Sequence, residues 1–253
     1  MKHLTPDTPF AVFSDVHGNL PALEAVLADV ERQGVPATIC LGDLVGYGPF
    51  PNEVSRLIRD RGIPCLMGNY DQGIGFATGD CGCVYKTDEQ RAEGAASLAW
   101  TEASAADDVR AYLRTLEDRF ALRTPAGELL AVHGSPRRIN EYLFEDRTEA
   151  AMARMAAENP YRAILFGHTH LPYARPVARP GGGSTLFVNV GSAGRPKDGD
   201  WRVCYAIVDP RRLDADGAGV EFVRVPYDFD RLQTALAATT LITHFDGPPE
   251  GAT

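Results

Sequence analysis

Apolar residues follow two rhythms along this chain, and the rhythm changes past its middle. Short apolar runs at Phe10–Ser14, Thr38–Leu41 and Ile63–Met67 predict buried strands. Leu20, Leu23, Val26, Leu27 and Val30 recur at helical spacing and predict an amphipathic helix over Leu20–Gln33, with a second at Pro51–Asp60. Strands alternating with helices in this way imply a parallel sheet covered by helices. From about residue 72 to 119 the pattern is less regular. Glycines interrupt it, two helices are expected near Asp88–Ala103 and Asp107–Leu116, and so long an excursion suits a lid or a dimer surface. Glu128–Val132 and Ala163–Phe166 return as strands on either side of a helix at Thr148–Ala157. From Tyr173 onward come short strands at Tyr173–Ala178, Thr185–Val190, Arg202–Asp209 and Val220–Val225. "RPGGGS" forms a hairpin turn between the first two, so this part should be antiparallel or mixed. A helix near Asp228–Ala238 precedes a polar tail, about 244–253, that is expected to fray.

Composition narrows the class. A chain of 253 residues with 44% hydrophobic and 23% charged residues can bury a large core, and one domain is expected, two small ones being the alternative. No run approaches the roughly 18 apolar residues of a membrane span, and no signal-peptide core precedes Phe10. Five scattered cysteines suit a reducing compartment, so a cytoplasmic protein is expected. The net charge of −9 argues against a broad nucleic-acid face. It leaves room for a small anionic substrate, because bound cations reverse the field within one cleft.

The chemistry gathers at strand ends. Asp15-Val16-His17, Gly42-Asp43, Gly68-Asn69, His133-Gly134 and Gly167-His168-Thr169-His170 each follow an apolar run, with a glycine in or beside the bend. Sites in open α/β sheets form outside the carboxyl ends of strands, so these five turns should face one crevice. They supply two carboxylates, four of the six histidines and one amide oxygen. Seven such ligands are too many for one tetrahedral ion and suit two ions sharing a carboxylate. The mixed nitrogen and oxygen set suits Mn, Fe, Zn or Ni better than Mg or Ca. Two divalent ions set against two carboxylates leave the pocket positive, which favours a phosphoester.

The ordered set "SDVHGN", "LGDLVGYGP", "GNYD", "VHGSP" and "GHTH", with "NVGSAGRP" later, resembles the calcineurin-like metallophosphoesterase superfamily, most closely its compact bacterial and archaeal phosphodiesterase branch. The resemblance covers nearly the whole chain. It implies a mixed α/β fold, a four-layer αββα sandwich of two mixed sheets between helices. It also implies two divalent metal ions, Mn first, with Fe, Ni or Zn as alternatives. Asp15, His17 and His170 would hold the first, Asp43 would bridge, and Asn69, His133 and His168 would hold the second. The implied reaction is direct attack on phosphorus by a metal-bridging hydroxide, on a small, nucleotide-like phosphoester.

The chain departs from the family's pattern at Tyr70, where a histidine usually precedes the carboxylate kept here as Asp71. That histidine is thought to protonate the leaving oxygen. A tyrosine with pKa about 10 donates a hydrogen bond but shuttles protons poorly at neutral pH. Tyr70 is therefore either a weak acid supported by Asp71 or a packing residue, with His244 as another donor. The expected substrates are those whose leaving group needs little protonation: aryl, cyclic or nucleotide phosphodiesters. Arg137, Arg195 and Tyr47 are candidates for binding the substrate. Cys81 and Cys83 read as ordinary thiols, a redox or metal pair being the alternative. Other functions in view are a monoesterase or nuclease of the superfamily, and a non-catalytic metal-binding scaffold like the retromer subunit of this fold, which also lacks that histidine. A homo-oligomer is left open, the sequence not fixing the oligomeric state.

Overall fold

The run Phe10–Phe13 is a strand buried on both faces: Phe10 and Val12 enter one apolar cluster, Ala11 and Phe13 another. Successive strand side chains point to opposite faces, so a strand apolar throughout needs cover on both sides. That requirement dictates the layering. A computed structural model describes residues 2–214 and 216–249. In chain order the elements are β1 (Lys2–Leu4), β2 (Phe10–Phe13), α1 (Leu20–Arg32), β3 (Ala37–Cys40), α2 (Pro51–Asp60), α3 (Asn69–Phe76), α4 (Asp88–Ser104), α5 (Asp107–Leu113) and β4 (Arg119–Thr124). They continue with β5 (Gly127–Val132), α6 (Glu149–Glu158), β6 (Ala163–Phe166), β7 (Tyr173–Ala178), β8 (Ser184–Asn189), β9 (Val203–Val208), β10 (Val220–Val225) and α7 (Phe229–Ala237).

Ten strands form two mixed sheets among the described residues, one in the order β1-β4-β5-β6-β8-β7 and one in the order β10-β9-β2-β3. The sheets share a core that takes Phe10 and Val12 from β2, Leu129 and Ala131 from β5, and Leu186 from β8. Outside the four-stranded sheet, Phe13 packs with Leu23 and Val26 of α1, Ile58 of α2 and Leu232 of α7. Outside the six-stranded sheet, Ile164 and Phe166 of β6 pack on Met152 and Met155 of α6. The layers run helix, sheet, sheet, helix, which is the αββα sandwich expected. β2–β3, β5–β6 and β6–β8 are parallel, so the carboxyl ends of β2 and β3 point one way, as do those of β5 and β6.

Three local expectations differ. Residues 63–67 make only the isolated bridges Cys40↔Cys65 and Leu66↔Glu117, because Pro64 has no N–H to donate and the chain turns at once into α3. α3 itself was not expected, since Gly73 and Gly75 disfavour a helix. It forms where a Cβ on Gly75 would come within 3.2 Å of Leu113, so the small residue lets α5 approach. β4 and β1 were also missed; β4 directly follows the irregular stretch and pairs antiparallel with β5 and parallel with β1. The tail is held at its start: Phe245 is 3% exposed, and the Thr243 hydroxyl donates to the Tyr47 carbonyl at 2.7 Å. The last part of the tail, residues 250–253, lies outside the described residues. No helix among the described residues is long and apolar enough to cross a membrane.

Candidate metal centre

The six candidate Asp and His ligands stand within four residues of a strand end, and all but His133, which directly follows β5, sit on turns bent too sharply for ordinary backbone. Asp15, His17, Asp43, His168 and His170 adopt φ of 58°, 49°, 56°, 66° and 63°. Left-handed backbone in a residue with a Cβ costs about 1 kcal/mol or more and persists only where the surroundings enforce it. Here adjacent turns enforce it on one another: the N–H of Asp15 donates to Gly42 O and that of His17 to Asp43 O, both at 2.9 Å. At Gly68 a Cβ would lie 2.1 Å from Asp43 Oδ1, so only glycine lets α3 start this close.

The two carboxylates are divided alike. Asp15 Oδ2 accepts from the His168 N–H at 2.9 Å, while its Oδ1, fully buried, has no hydrogen-bond partner among the described residues. That oxygen stands 3.4 Å from His170 Nε2, 3.8 Å from His17 Nε2 and 3.9 Å from His133 Nε2. Asp43 Oδ1 accepts from the Tyr70 N–H at 2.9 Å, and its Oδ2 lies 3.4 Å from His133 Nε2 and 3.6 Å from His17 Nε2. Three imidazoles are oriented from behind: Nδ1 of His17, His133 and His170 faces the carbonyls of Val45, Leu41 and Arg195 at 3.0, 2.9 and 2.5 Å. A ring whose Nδ1–H is spent on a carbonyl offers its Nε2 lone pair forward, the tautomer a metal ligand needs. The result is two buried groups able to hold a metal ion, Asp15/His17/His170 and Asp43/His133/His168. Asn69 Oδ1 stands 3.1 Å from His133 Nε2, beside the second.

Electrostatics agree with a site built for cations. Burial pushes the Asp15 carboxyl up to about 6, with Asp43 adding to the rise against the pull of His133. Burial lowers His17 to about 4 and His168 to about 3, although Asp43 opposes it in both. At His133 the Asp43 and Asp15 carboxylates overcome burial and raise it to about 10, while Asp43, despite its burial, is held well below the usual carboxylate range by the imidazoles around it. A buried oxygen without a partner, ringed by imidazole nitrogens, costs free energy unless a cation completes it. The residues fit a pair of divalent metal ions.

Asp71 does not reach the cleft. Its carboxylate accepts from the N–H groups of Asp43 (2.7 Å), Leu44 (2.9 Å) and Gly68 (2.9 Å), tying the Asp43 turn to the start of α3. Burial and the nearby Asp43 push it up to about 7, against those donors. The Tyr70 ring is 1% exposed and packs 5.0 Å from Tyr47 and 5.4 Å edge-on to His17; its hydroxyl has no hydrogen-bond partner among the described residues. Burial holds that phenol well above its ordinary range.

A cleft of about 620 Å³ opens beside the two groups, and its lining includes Tyr47, Tyr142, Phe144, Arg195, Lys197 and His244. Tyr47 and Arg195 thus come to it as expected, but Arg195 is engaged: it pairs with Glu93 at 2.5 Å and lies over the Tyr47 ring at 4.2 Å. Arg137 is not in the lining; Glu141 takes its guanidinium at 2.5 Å. His244 pairs with Asp246 at 3.2 Å. Lys197 went unnoticed in the sequence. Among the described residues it has no ion-pair partner, and after burial its charge contributes to the lowered His17, His168 and His170. Tyr142 was missed as well. It lies 4.1 Å from the His168 ring and stacks on Phe144 at 5.7 Å. The one sequence signal for Lys197 was its place two residues after Arg195 in "GRPKDG".

Residues 9–212 match the domain described as the calcineurin-like phosphoesterase superfamily domain. An uncharacterized protein of Methanocaldococcus jannaschii is 32% identical over 248 residues, covering 91% of this chain and 93% of the relative. The crystal structure of a metallophosphoesterase from Sphaerobacter thermophilus is 29% identical with a TM-score of 0.69, covering 92% of this chain and 94% of that one. A Pyrococcus horikoshii protein at 24% identity shares the fold with a TM-score of 0.75, again over 92% and 94%. The chain belongs to the calcineurin-like phosphoesterase superfamily and is a metallophosphoesterase.

Proposed function

We propose that this protein is a dinuclear-metal phosphodiesterase acting on a small phosphoester whose leaving group carries a flat ring, of nucleotide or aryl type. The reading rests above all on the division of Asp15 and Asp43: one oxygen of each is tied to a backbone N–H, and the other is turned toward imidazoles. In it Asp15, His17 and His170 would hold one cation and Asn69, His133 and His168 the other, with Asp43, whose free oxygen faces His17 and His133, shared between them. Manganese is the first choice of metal, with iron, nickel or zinc as alternatives, because the donors mix nitrogen and oxygen. Two such cations supply a nucleophile from water at neutral pH and neutralise charge at phosphorus.

The chain's own groups do the rest. Lys197, which has no carboxylate partner among the described residues, takes a non-bridging phosphoryl oxygen, and the exposed faces of Tyr142 and Phe144 receive the ring. Tyr70 contributes its N–H to Asp43 and its ring to packing, not a proton, since its hydroxyl is fully buried and Tyr70 is not among the residues lining the cleft. Asp71 acts behind Asp43. With no acid supplied from position 70, leaving groups that depart unprotonated are favoured, and aryl or nucleotide diesters meet that condition better than alkyl monoesters. The stretch from Val84 to Glu93 forms one wall of the cleft, consistent with a lid.

The test combines metal analysis with a substrate series. Reduced protein loaded with manganese should carry about two ions per chain and hydrolyse aryl phosphodiesters, with a rate that falls steeply as leaving-group pKa rises. Two bound ions with no hydrolysis of diesters or monoesters would favour the scaffold. A flat dependence on leaving-group pKa would mean that a proton donor operates after all.

A further inference from the structure

Cys81 and Cys83 stand apart from the two metal groups but touch one of their neighbours. The sulfurs lie 2.9 Å apart, across Gly82. Gly82 has φ +66°, and a Cβ there would meet Asn140 Nδ2 at 2.3 Å; that amide donates to Gly82 O at 2.9 Å and pins the loop. Asn69 Nδ2 donates to Cys81 O at 3.0 Å and to Cys83 Sγ at 3.2 Å. These two acceptors decide which way the Asn69 amide faces: reversed, its oxygen would meet the Cys81 carbonyl oxygen. They therefore aim Asn69 Oδ1 at the second group, 3.1 Å from His133 Nε2.

We propose that Cys81 and Cys83 form a redox-modifiable clamp that positions Asn69, so that their oxidation to a disulfide loosens the second cation. The proposal rests on the assignment of Asn69 to that cation. All five cysteines are free thiols, and Cys83 is the partly exposed member of the pair. The oxidant is a low-molecular-weight disulfide. The Cys83 thiolate attacks one of its sulfurs, breaking that S–S bond and releasing one small thiolate. The Cys81 thiolate then attacks the sulfur bound to Cys83, forming the protein disulfide and releasing the second small thiolate. The two protein protons end on the two small thiols, and the small disulfide takes the two electrons. Closing a sulfur pair from 2.9 Å to a disulfide's roughly 2.05 Å needs little movement. It draws the Cys83 sulfur toward Cys81 and turns a thiol acceptor into a weaker one, so Asn69 loses half its anchorage. Groups that orient metal ligands are worth about tenfold to a hundredfold in affinity.

The experiment treats manganese-loaded full-length protein with oxidised glutathione, then measures two things: the masses of alkylated peptides and the metal retained after gel filtration. The expected result is loss of two hydrogen masses from the peptide holding Cys81 and Cys83, with Cys65 still alkylated, and a fall from about two ions per chain toward one. A reductant should restore both. Cys81→Ser removes the resolving thiol, so the same treatment should leave a glutathione on Cys83 and no loss of two hydrogen masses; a loss of two hydrogen masses in this variant would place the disulfide elsewhere and overturn the clamp. Cys83→Ala should weaken the second ion about tenfold without any oxidant. A disulfide that forms with both ions retained, or no disulfide in native protein, overturns the clamp. Reduced wild-type protein that never takes up a second ion overturns the two-metal reading instead, so the two failures are distinguishable.

Discussion

On the floor of the cleft, candidate ligands come from turns whose backbone is tied to neighbouring turns and whose carboxylates each spend one oxygen on an N–H. On the wall, Tyr142, Phe144, Lys86 and Lys197 come from stretches without regular structure, and neither lysine has an ion-pair partner among the described residues. The floor is rigid because a metal centre needs ligands held to a fraction of an ångström before the ion arrives. The wall is loosely specified because stacking and a single ammonium tolerate small displacements. In the proposed function, the tied groups serve the chemistry and the looser ones select which molecule is held.

The contrast can be broken in three places. The largest effect is expected at Asp43→Asn, which removes the charge that faces both groups. Metal content should drop and kcat fall about a thousandfold or more, equivalent to about 4 kcal/mol or more. A variant that keeps both ions and most of its kcat would remove Asp43 from the centre. Next comes Lys197→Met, expected to lower kcat/KM for an aryl diester about tenfold to a hundredfold, chiefly through KM and with metal content unchanged. Arg137→Ala is the control on the far side of the comparison: bound by Glu141 outside the lining, it should leave kcat/KM within about twofold. Equal losses in both variants would mean that the wall is not selective. A small effect is also expected at Tyr70→Phe. The ring keeps its place against His17 and Tyr47, and only a hydroxyl without a partner is lost, so kcat should change by less than about threefold across leaving groups. A selective loss on poor leaving groups would return Tyr70 to an acid role.

Legibility follows the same line. The turns at Asp15, Asp43, His133 and His168 were readable because a strand end, a bend and a ligand-type side chain are all local features. β2, α1 and β6 were readable because burial on one or two faces writes its own periodicity. α3 was not, since its glycines argue against a helix and only the closeness of α5 and the Asp80–Cys81 backbone explains them. The arginines beside the ligand turns were only partly legible. Arg195 lines the cleft but carries Glu93, which comes from 102 residues away, and Arg137 lies outside the lining, held by Glu141 four residues on.

Residue types and spacing were thus enough for strands covered by helices and for which side chains would meet at the strand ends, because parallel strands bring their carboxyl ends together whatever the loops do; the four-layer sandwich was implied by the family resemblance. The division of each carboxylate, the place of Lys197 in the cleft lining, the hold of the Cys81–Cys83 loop on Asn69 and the burial of the Tyr70 hydroxyl were settled in space. Each depends on partners far away in the chain, and a hydrogen bond or ion pair across such a separation leaves no periodic mark in the sequence.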